Sequence, residues 1–110
     1  MEIVYKNNRL ENSLTNDKEM LKSYGVLAKK IKQRMTQLKE ADNLSVISKL
    51  PALRLHPYKG DRIGEWSIDI MENWRIIFEI DQDPIPKSED GGVNLLLITA
   101  IKIVSVEDPH

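Results

Sequence analysis

The sequence predicts an α+β domain in which helices cover one face of a β-sheet. Apolar residues recur at helical spacing between positions 16 and 42, whereas apolar and polar residues alternate between 65 and 80. The order of one short strand, a long helix, a short helix and then three or four antiparallel strands is that of an α+β domain. No linker or internal repeat divides the 110 residues, so we expect one domain spanning residues 1–110.

The helical part has start and stop signals. Asn16 is a candidate N-cap with Glu19 three residues later as its capping-box partner, and an apolar stripe follows. The stripe comprises Met20, Tyr24, Leu27, Ala28, Ile31, Met35 and Leu38. Gly25 is a weak point within this helix. Asp42 or Asn43 is a candidate cap for a shorter helix that ends before Pro51, since proline disfavours helical geometry in the residue before it.

The second half of the chain predicts strands. The segment EWSIDI (65–70) alternates, MEN (71–73) is a turn, and WRIIFEI (74–80) returns. Residues 81–92 carry two prolines and two glycines and therefore form a loop, and 93–106 is one long strand or two joined by a bend. We expect Trp66, Trp74 and Phe78 to form or flank the core, because they alternate as strand core residues do.

Composition excludes several classes of protein. The chain has no cysteine, which excludes a disulfide scaffold and a thiolate metal site and fits a reducing compartment. The first residues lack the apolar region of a secretory signal, and the longest apolar run, LLLI, is far too short to span a membrane. We therefore expect a cytoplasmic protein with no membrane association.

The net charge of −1 conceals an uneven distribution. Residues 29–62 have a net charge of +6, whereas residues 81–110 have a net charge of −4. The basic middle could bind a polyanion such as nucleic acid, but lysine-rich helix faces are also common as plain solvated surface. Charge alone leaves both interpretations open.

Acid–base chemistry is the best supported of the reactive patterns. The two histidines lack metal-ligand spacing, and the chain has neither a phosphate-binding glycine loop nor a nucleophile elbow, so we expect no metal and no cofactor. His56 lies close to Arg54, Lys59 and Arg62, and histidine can accept or donate a proton near neutral pH. The alternatives are a structural role for His56, a surface ion pair for Arg75 and an unordered chain end for His110.

A longer stretch adds a family resemblance. Residues 54–60 read RLHPYKG, then come Gly64, Trp66 and Ser67, and after a turn Trp74, Arg75 and Phe78. This ordered set resembles the HigB-like (plasmid maintenance killer) toxins of the RelE/ParE superfamily, whose segment reads HPLKG followed by G-x-[WY]-S and [WY]R. Members typically end in D-Y-H, and this chain ends in DPH. Pro109 therefore replaces the family's tyrosine, and the 81–92 loop is longer than in the shortest members.

The resemblance implies a twisted antiparallel sheet with two N-terminal helices on one face. It also implies a type II toxin–antitoxin toxin that acts as a metal-free endoribonuclease on mRNA in the ribosomal A site. Carried over by position, the catalytic residues are His56, Asp108 and His110. The residues implied to bind RNA phosphates, by position or by proximity to His56, are Arg54, Lys59, Arg62 and Arg75. We expect His56, Arg75 and His110 to share one concave basic surface.

The resemblance also implies partners. They are a helix-turn-helix (HigA-like) antitoxin and mRNA on the ribosome, with operator DNA contacted only indirectly through the antitoxin. Two other functions stay open. One is a toxin of the same fold that binds a protein target without catalysis, as gyrase poisons do. The other is an inactive module that only pairs with an antitoxin, which the loss of the tyrosine at Pro109 would favour.

Overall fold

The computed structural model describes residues 1–108, in which α-helices pack on one face of a five-stranded sheet. In chain order the elements are β1 (Glu2–Tyr5), α1 (Asn8–Thr15), α2 (Asp17–Tyr24), α3 (Ala28–Glu40), α4 (Leu44–Ser48), β2 (His56–Pro57), β3 (Glu65–Met71), β4 (Trp74–Ile80) and β5 (Ala100–Glu107). The predicted α+β class is confirmed. No helix within residues 1–108 combines the length and apolar character needed to cross a membrane.

Asparagine side chains start three of the helices. Asn16 Oδ1 accepts a hydrogen bond from the Glu19 amide at 3.1 Å, and Asn43 Oδ1 accepts one from the Val46 amide at 3.3 Å. Each cap satisfies an amide that has no partner within its helix. Both caps confirm the predicted helix starts, whereas α1, which Asn7 caps in the same way, was not predicted.

The predicted long helix is interrupted at Gly25. α2 ends at Tyr24, a 3₁₀ turn occupies Gly25–Leu27, and α3 begins at Ala28. Gly25 has φ 55° and ψ −122°, a conformation that L-residues with a Cβ strongly disfavour. The region therefore contains more helices than the two that were expected, and glycine allows the change of direction between α2 and α3.

The sheet has the order β1-β5-β4-β3-β2, and it differs from the expected antiparallel sheet in one strand. β2, β3, β4 and β5 pair antiparallel, but β1 pairs parallel to β5, with Ile3 opposite Ile101. A parallel neighbour needs a long crossover, and the four helices together with β2, β3 and β4 supply it. The last strand begins at Ala100 because Leu95–Leu97 form a 3₁₀ turn.

The core lies between the helices and this sheet. Ile31, Met35 and Leu38 of α3 join Ile76 and Phe78 of β4 in one buried cluster. Trp66 and Trp74 are half-buried and pack against it, which confirms that the aromatic strand residues form or flank the core. Apolar burial of this kind is the main stabilising contribution to such a fold.

A β-bulge changes which side chains of β5 face away from the helices. Phe78 pairs with Ile103, but Ile77, which directly precedes Phe78, pairs with Ser105, so Val104 is an extra residue in β5. Without the bulge, Ile103 and Ser105 would share a face, because side chains alternate along a strand. The bulge directs Ser105, and Glu107 beyond it, to the face opposite the core.

Candidate active site on the sheet face opposite the helices

Polar side chains of four strands meet on the face of the sheet opposite the helices, which we call the site face. Cross-strand partners share a face. One row across this face contains His56, Ser67, Ile77 and Ser105, and the adjacent row contains Asp69, Arg75 and Glu107. Ile77 is fully buried yet lies outside the helix-side core cluster, so the side chains of the site face cover it.

His56 is held at one end of the first row. Its Nδ1 lies 3.4 Å from the hydroxyl of Ser67, which is fully buried. Arg54, with φ 44° and ψ 52°, turns the chain out of the preceding 3₁₀ turn and into β2. Within residues 1–108, Nε2 of His56 has no hydrogen-bond partner. Ser67 thus contacts one ring nitrogen, and the described part of the chain leaves the other nitrogen unengaged.

Tyr58 connects His56 to the second row. The two rings have centroids 5.0 Å apart at 59°, and Arg75 Nη1 donates to the Tyr58 hydroxyl at 3.4 Å. The guanidinium carbon of Arg62 lies 4.9 Å from the centre of the tyrosine ring, within the range of a cation–π contact. Sequence reasoning did not select Tyr58. Its position two residues after His56 is the signal that could have found it, since an extended chain places such residues on the same side.

Arg62 is bound to two carboxylates. Its Nε donates to Glu65 at 2.6 Å, while Nη1 and Nη2 donate to the two oxygens of Glu107 at 2.7 and 3.1 Å. Glu107 also accepts a hydrogen bond from the Ser105 hydroxyl at 2.6 Å. The hydrogen bonds from Arg62, and secondarily from Ser105, hold the pKa of Glu107 below its usual value, while burial opposes them. The same carboxylates raise the pKa of Arg62.

Asp69 is the second acidic centre of the site face. Its carboxylate lies 3.5 Å from Arg54 Nη1 and 3.7 Å from Arg75 Nε. From the other side of the sheet, Nε of the buried Arg34 donates to the Asp69 backbone carbonyl at 2.7 Å. Burial lowers the pKa of Arg34, and Asp69 counteracts this effect. Arg34 thereby ties α3 to the strand that carries Asp69.

These contacts make the site face less basic than expected. Arg54 and Arg75 lie beside the Asp69 carboxylate, and Arg62 lies beside Glu107. Neither carboxylate was selected from the sequence. Lys59 differs: it is exposed and, in the part of the chain that the structure describes, forms no ion pair. Carboxylates therefore balance the charges of these arginines, whereas the Lys59 ammonium group has no ion-pair partner within residues 1–108.

The structure brings together four of the predicted site residues, His56, Arg54, Arg62 and Arg75, through the contacts above. Asp108 follows β5 directly and is exposed. His110 lies outside the described residues, so its place in the site stays a prediction. Within residues 1–108, no group of three histidine or carboxylate side chains is arranged to hold a metal ion.

Comparisons with known proteins give one sequence relative and several structural ones. No family model matches the chain. Endoribonuclease HigB of Proteus vulgaris is 40% identical over 57 residues, which are 50% of this chain and 62% of that relative. The chain thus spans about three-fifths of the curated relative that it matches.

The solved structures cover nearly the whole chain. A YoeB/ParE toxin from Agrobacterium tumefaciens has a TM-score of 0.54 and 16% identity, and the similarity covers 100% of both chains. YafQ from E. coli has a TM-score of 0.52 and 14% identity, over 98% of this chain and 92% of that one. The YoeB dimer from Staphylococcus aureus has a TM-score of 0.51 and 17% identity, over 100% and 98%. Such identities show a common fold. The chain thus has the fold of these toxins, and over half of its length it is similar in sequence to a HigB endoribonuclease, in agreement with the resemblance seen in the sequence.

Proposed function

We propose that this chain is the toxin of a type II toxin–antitoxin system and that it cleaves mRNA on the ribosome. The observation that carries the proposal is the site face, where Tyr58 joins His56 to Arg75 beside the end of β5. The 40% identity to a HigB endoribonuclease over half of the chain supports the same activity. The gyrase-poison and inactive-module functions remain outcomes of the experiment described below.

The reaction needs no nucleophile from the protein, because RNA carries its own. The 2′-oxygen attacks the adjacent phosphorus, the bond from phosphorus to the 5′-oxygen breaks, and a 2′,3′-cyclic phosphate forms. A base must take the 2′-hydroxyl proton, an acid must give a proton to the leaving 5′-oxygen, and cations must stabilise the phosphate as its charge increases. Each of these requirements can be met by a side chain on or next to the site face.

We assign His56 to proton transfer, because Ser67 orients one ring nitrogen and the other is available. Arg75 contacts the phosphate with the donors that Tyr58 and Asp69 leave open, and we assign Lys59 to the same role. Arg54, 70% exposed in its side chain, contacts the neighbouring RNA backbone. Asp108 and His110 complete the acid–base set from the end of β5.

The charge balance supports dependence on the ribosome. Affinity for free RNA comes largely from neutralising phosphates with lysine and arginine. Here carboxylates already partner three site-face arginines, and the chain has a net charge of −1. A ribosome that holds the mRNA in an ordered path reduces the binding energy that the toxin must supply and orients the 2′-hydroxyl for attack.

We further propose that a helix-turn-helix antitoxin of the HigA type holds the toxin inactive in the cytoplasm. In such a complex the antitoxin would bind operator DNA, and the toxin would be held near the DNA only through the antitoxin. Support comes from the similarity of the chain to a HigB endoribonuclease and to a YoeB/ParE toxin. Co-purification of this chain with the product of a neighbouring gene tests the partner directly.

The activity is tested by incubating the purified protein with a defined mRNA, with and without programmed ribosomes, and mapping the new 5′ ends. We expect cleavage only in the presence of ribosomes, at A-site codons. Equal cleavage of naked RNA would contradict ribosome dependence. If neither mixture shows cleavage, inhibition of gyrase by the protein would favour the protein-target function, and its absence would favour the inactive module.

A further inference from the structure

We propose that Arg62 and Glu107 form a clamp that positions the end of β5 in the active site, so that Arg62 is a positioning residue rather than a phosphate ligand. This inference rests on the proposed function, and it changes the role that the sequence suggested for Arg62. Glu107, which neither the family resemblance nor the charge pattern selected, becomes the other half of the clamp.

The geometry of Arg62 leaves few donors for RNA. Both terminal nitrogens face the Glu107 carboxylate, and Nε faces Glu65. A fork of two parallel hydrogen bonds between arginine and a carboxylate is among the strongest and most directional polar contacts in proteins. One face of the guanidinium also lies over the ring of Tyr58. A phosphate would have to displace a carboxylate that is already well placed.

The clamp joins two parts of the chain that are 45 residues apart. Arg62 ends the 3₁₀ turn Gly60–Arg62, which directly follows Lys59, and Glu107 directly precedes Asp108. Arg75 and Glu107 form the last registered pair between β4 and β5. The Glu107 side chain therefore adds a second hold, beside the sheet ladder, at the residue that directly precedes Asp108.

The position of the clamp matters because catalytic groups must be placed accurately. A displacement of about 1 Å can reduce a rate about 10²-fold. Asp108 directly follows β5, and His110 lies two residues further along the chain, whereas His56 belongs to the edge strand β2. The clamp joins the turn that follows β2 to the end of β5 and so holds the two parts of the proposed acid–base set together.

The two roles of Arg62 predict opposite effects for Glu107→Gln. If Arg62 binds phosphate and Glu107 competes with it, removing the charge of Glu107 frees Arg62, so KM falls. If the pair is a clamp, Glu107→Gln weakens the hold on the end of β5, so kcat falls and KM changes little. The sign of the effect therefore separates the two roles.

The experiment is a double-mutant cycle with Arg62→Gln, Glu107→Gln and the double variant, assayed with ribosome-bound mRNA. We expect each single variant to lose about 10²-fold in kcat and the double variant to lose no more than either single one, because both singles break the same contact. The matched control is the exposed ion pair Lys32–Asp17, 2.9 Å apart, which joins α3 to α2. The variants Lys32→Gln and Asp17→Asn are expected to retain full activity.

Amide hydrogen exchange of residues 106–108 supplies a readout that does not depend on activity. We expect faster exchange there in the two clamp variants and unchanged exchange in the Lys32 and Asp17 variants. A lower KM in Glu107→Gln, or unchanged rates together with unchanged exchange, would overturn the proposal. If the parent protein cleaves no RNA, the proposed function fails, and the exchange data alone then decide whether the clamp fixes the strand end.

Discussion

At the scale of single residues, the site depends on one aromatic side chain that no motif singled out. Tyr58 contacts His56, Arg62 and Arg75. Because Arg62 lies over its ring, Tyr58 is better suited to hold its neighbours in place than to stack on an RNA base. Its hydroxyl accepts from Arg75 and retains a proton that it can donate to the substrate.

Tyr58→Phe tests the hydroxyl while it keeps the ring. We expect cleavage of ribosome-bound mRNA to fall roughly 2- to 13-fold, the effect of one lost hydrogen bond of about 0.5–1.5 kcal/mol. The melting temperature should stay the same, since the ring still packs against Arg62 and His56. Undiminished cleavage in this variant would remove the hydroxyl of Tyr58 from the mechanism.

Glu107 makes stability depend on acid pH. Hydrogen bonds from Arg62 lower its pKa from the usual 4.5 in the folded protein. A carboxyl group with a lowered folded pKa stabilises the fold above its unfolded value, and this contribution is lost as the pH falls through the folded value. We expect the free energy of unfolding, measured with urea between about pH 7 and about pH 3, to decrease less in Glu107→Gln than in the parent. Identical pH profiles would contradict the contact.

At the scale of secondary structure, Gly25 separates α2 from α3. Gly25→Ala should destabilise the protein by about 1–2 kcal/mol, because alanine disfavours a positive φ. If residues 17–40 instead formed one continuous helix, the same substitution would stabilise it by about 0.5–1 kcal/mol. Denaturant unfolding therefore distinguishes the two structures by the sign of the change alone.

Packing of the strands on the helices gives a second prediction at this scale. The Phe78 side chain is fully buried in the core, so Phe78→Ala should reduce the free energy of unfolding by about 3–5 kcal/mol. Val26, 93% exposed, is the matched control, and Val26→Ala should change the free energy of unfolding by less than about 0.5 kcal/mol. Similar losses in both variants would mean that β4 does not face the helices.

At the scale of the whole molecule, local patterns predicted the elements, but long-range geometry determined the site. Asn16, Asn43 and the alternation around Trp66 act within a few residues, so the sequence was sufficient to predict them. The extra residue at Val104 and the parallel pairing of β1 depend on partners far along the chain. For the same reason, spacing and charge could not predict the contact between Arg62 and Glu107, which are 45 residues apart in the sequence.

The central claim is that the site face cleaves RNA with His56 as a proton-transfer group. The rate at which His56→Ala cleaves ribosome-bound mRNA tests this claim most directly. His56→Ala and the parent protein should be compared in the ribosome assay at equal concentration, with thermal unfolding as the check on folding. We expect cleavage to fall about 10²- to 10⁴-fold while the melting temperature changes little, the typical effect of losing a positioned acid or base. A folded His56→Ala protein that cleaves as fast as the parent would contradict the account.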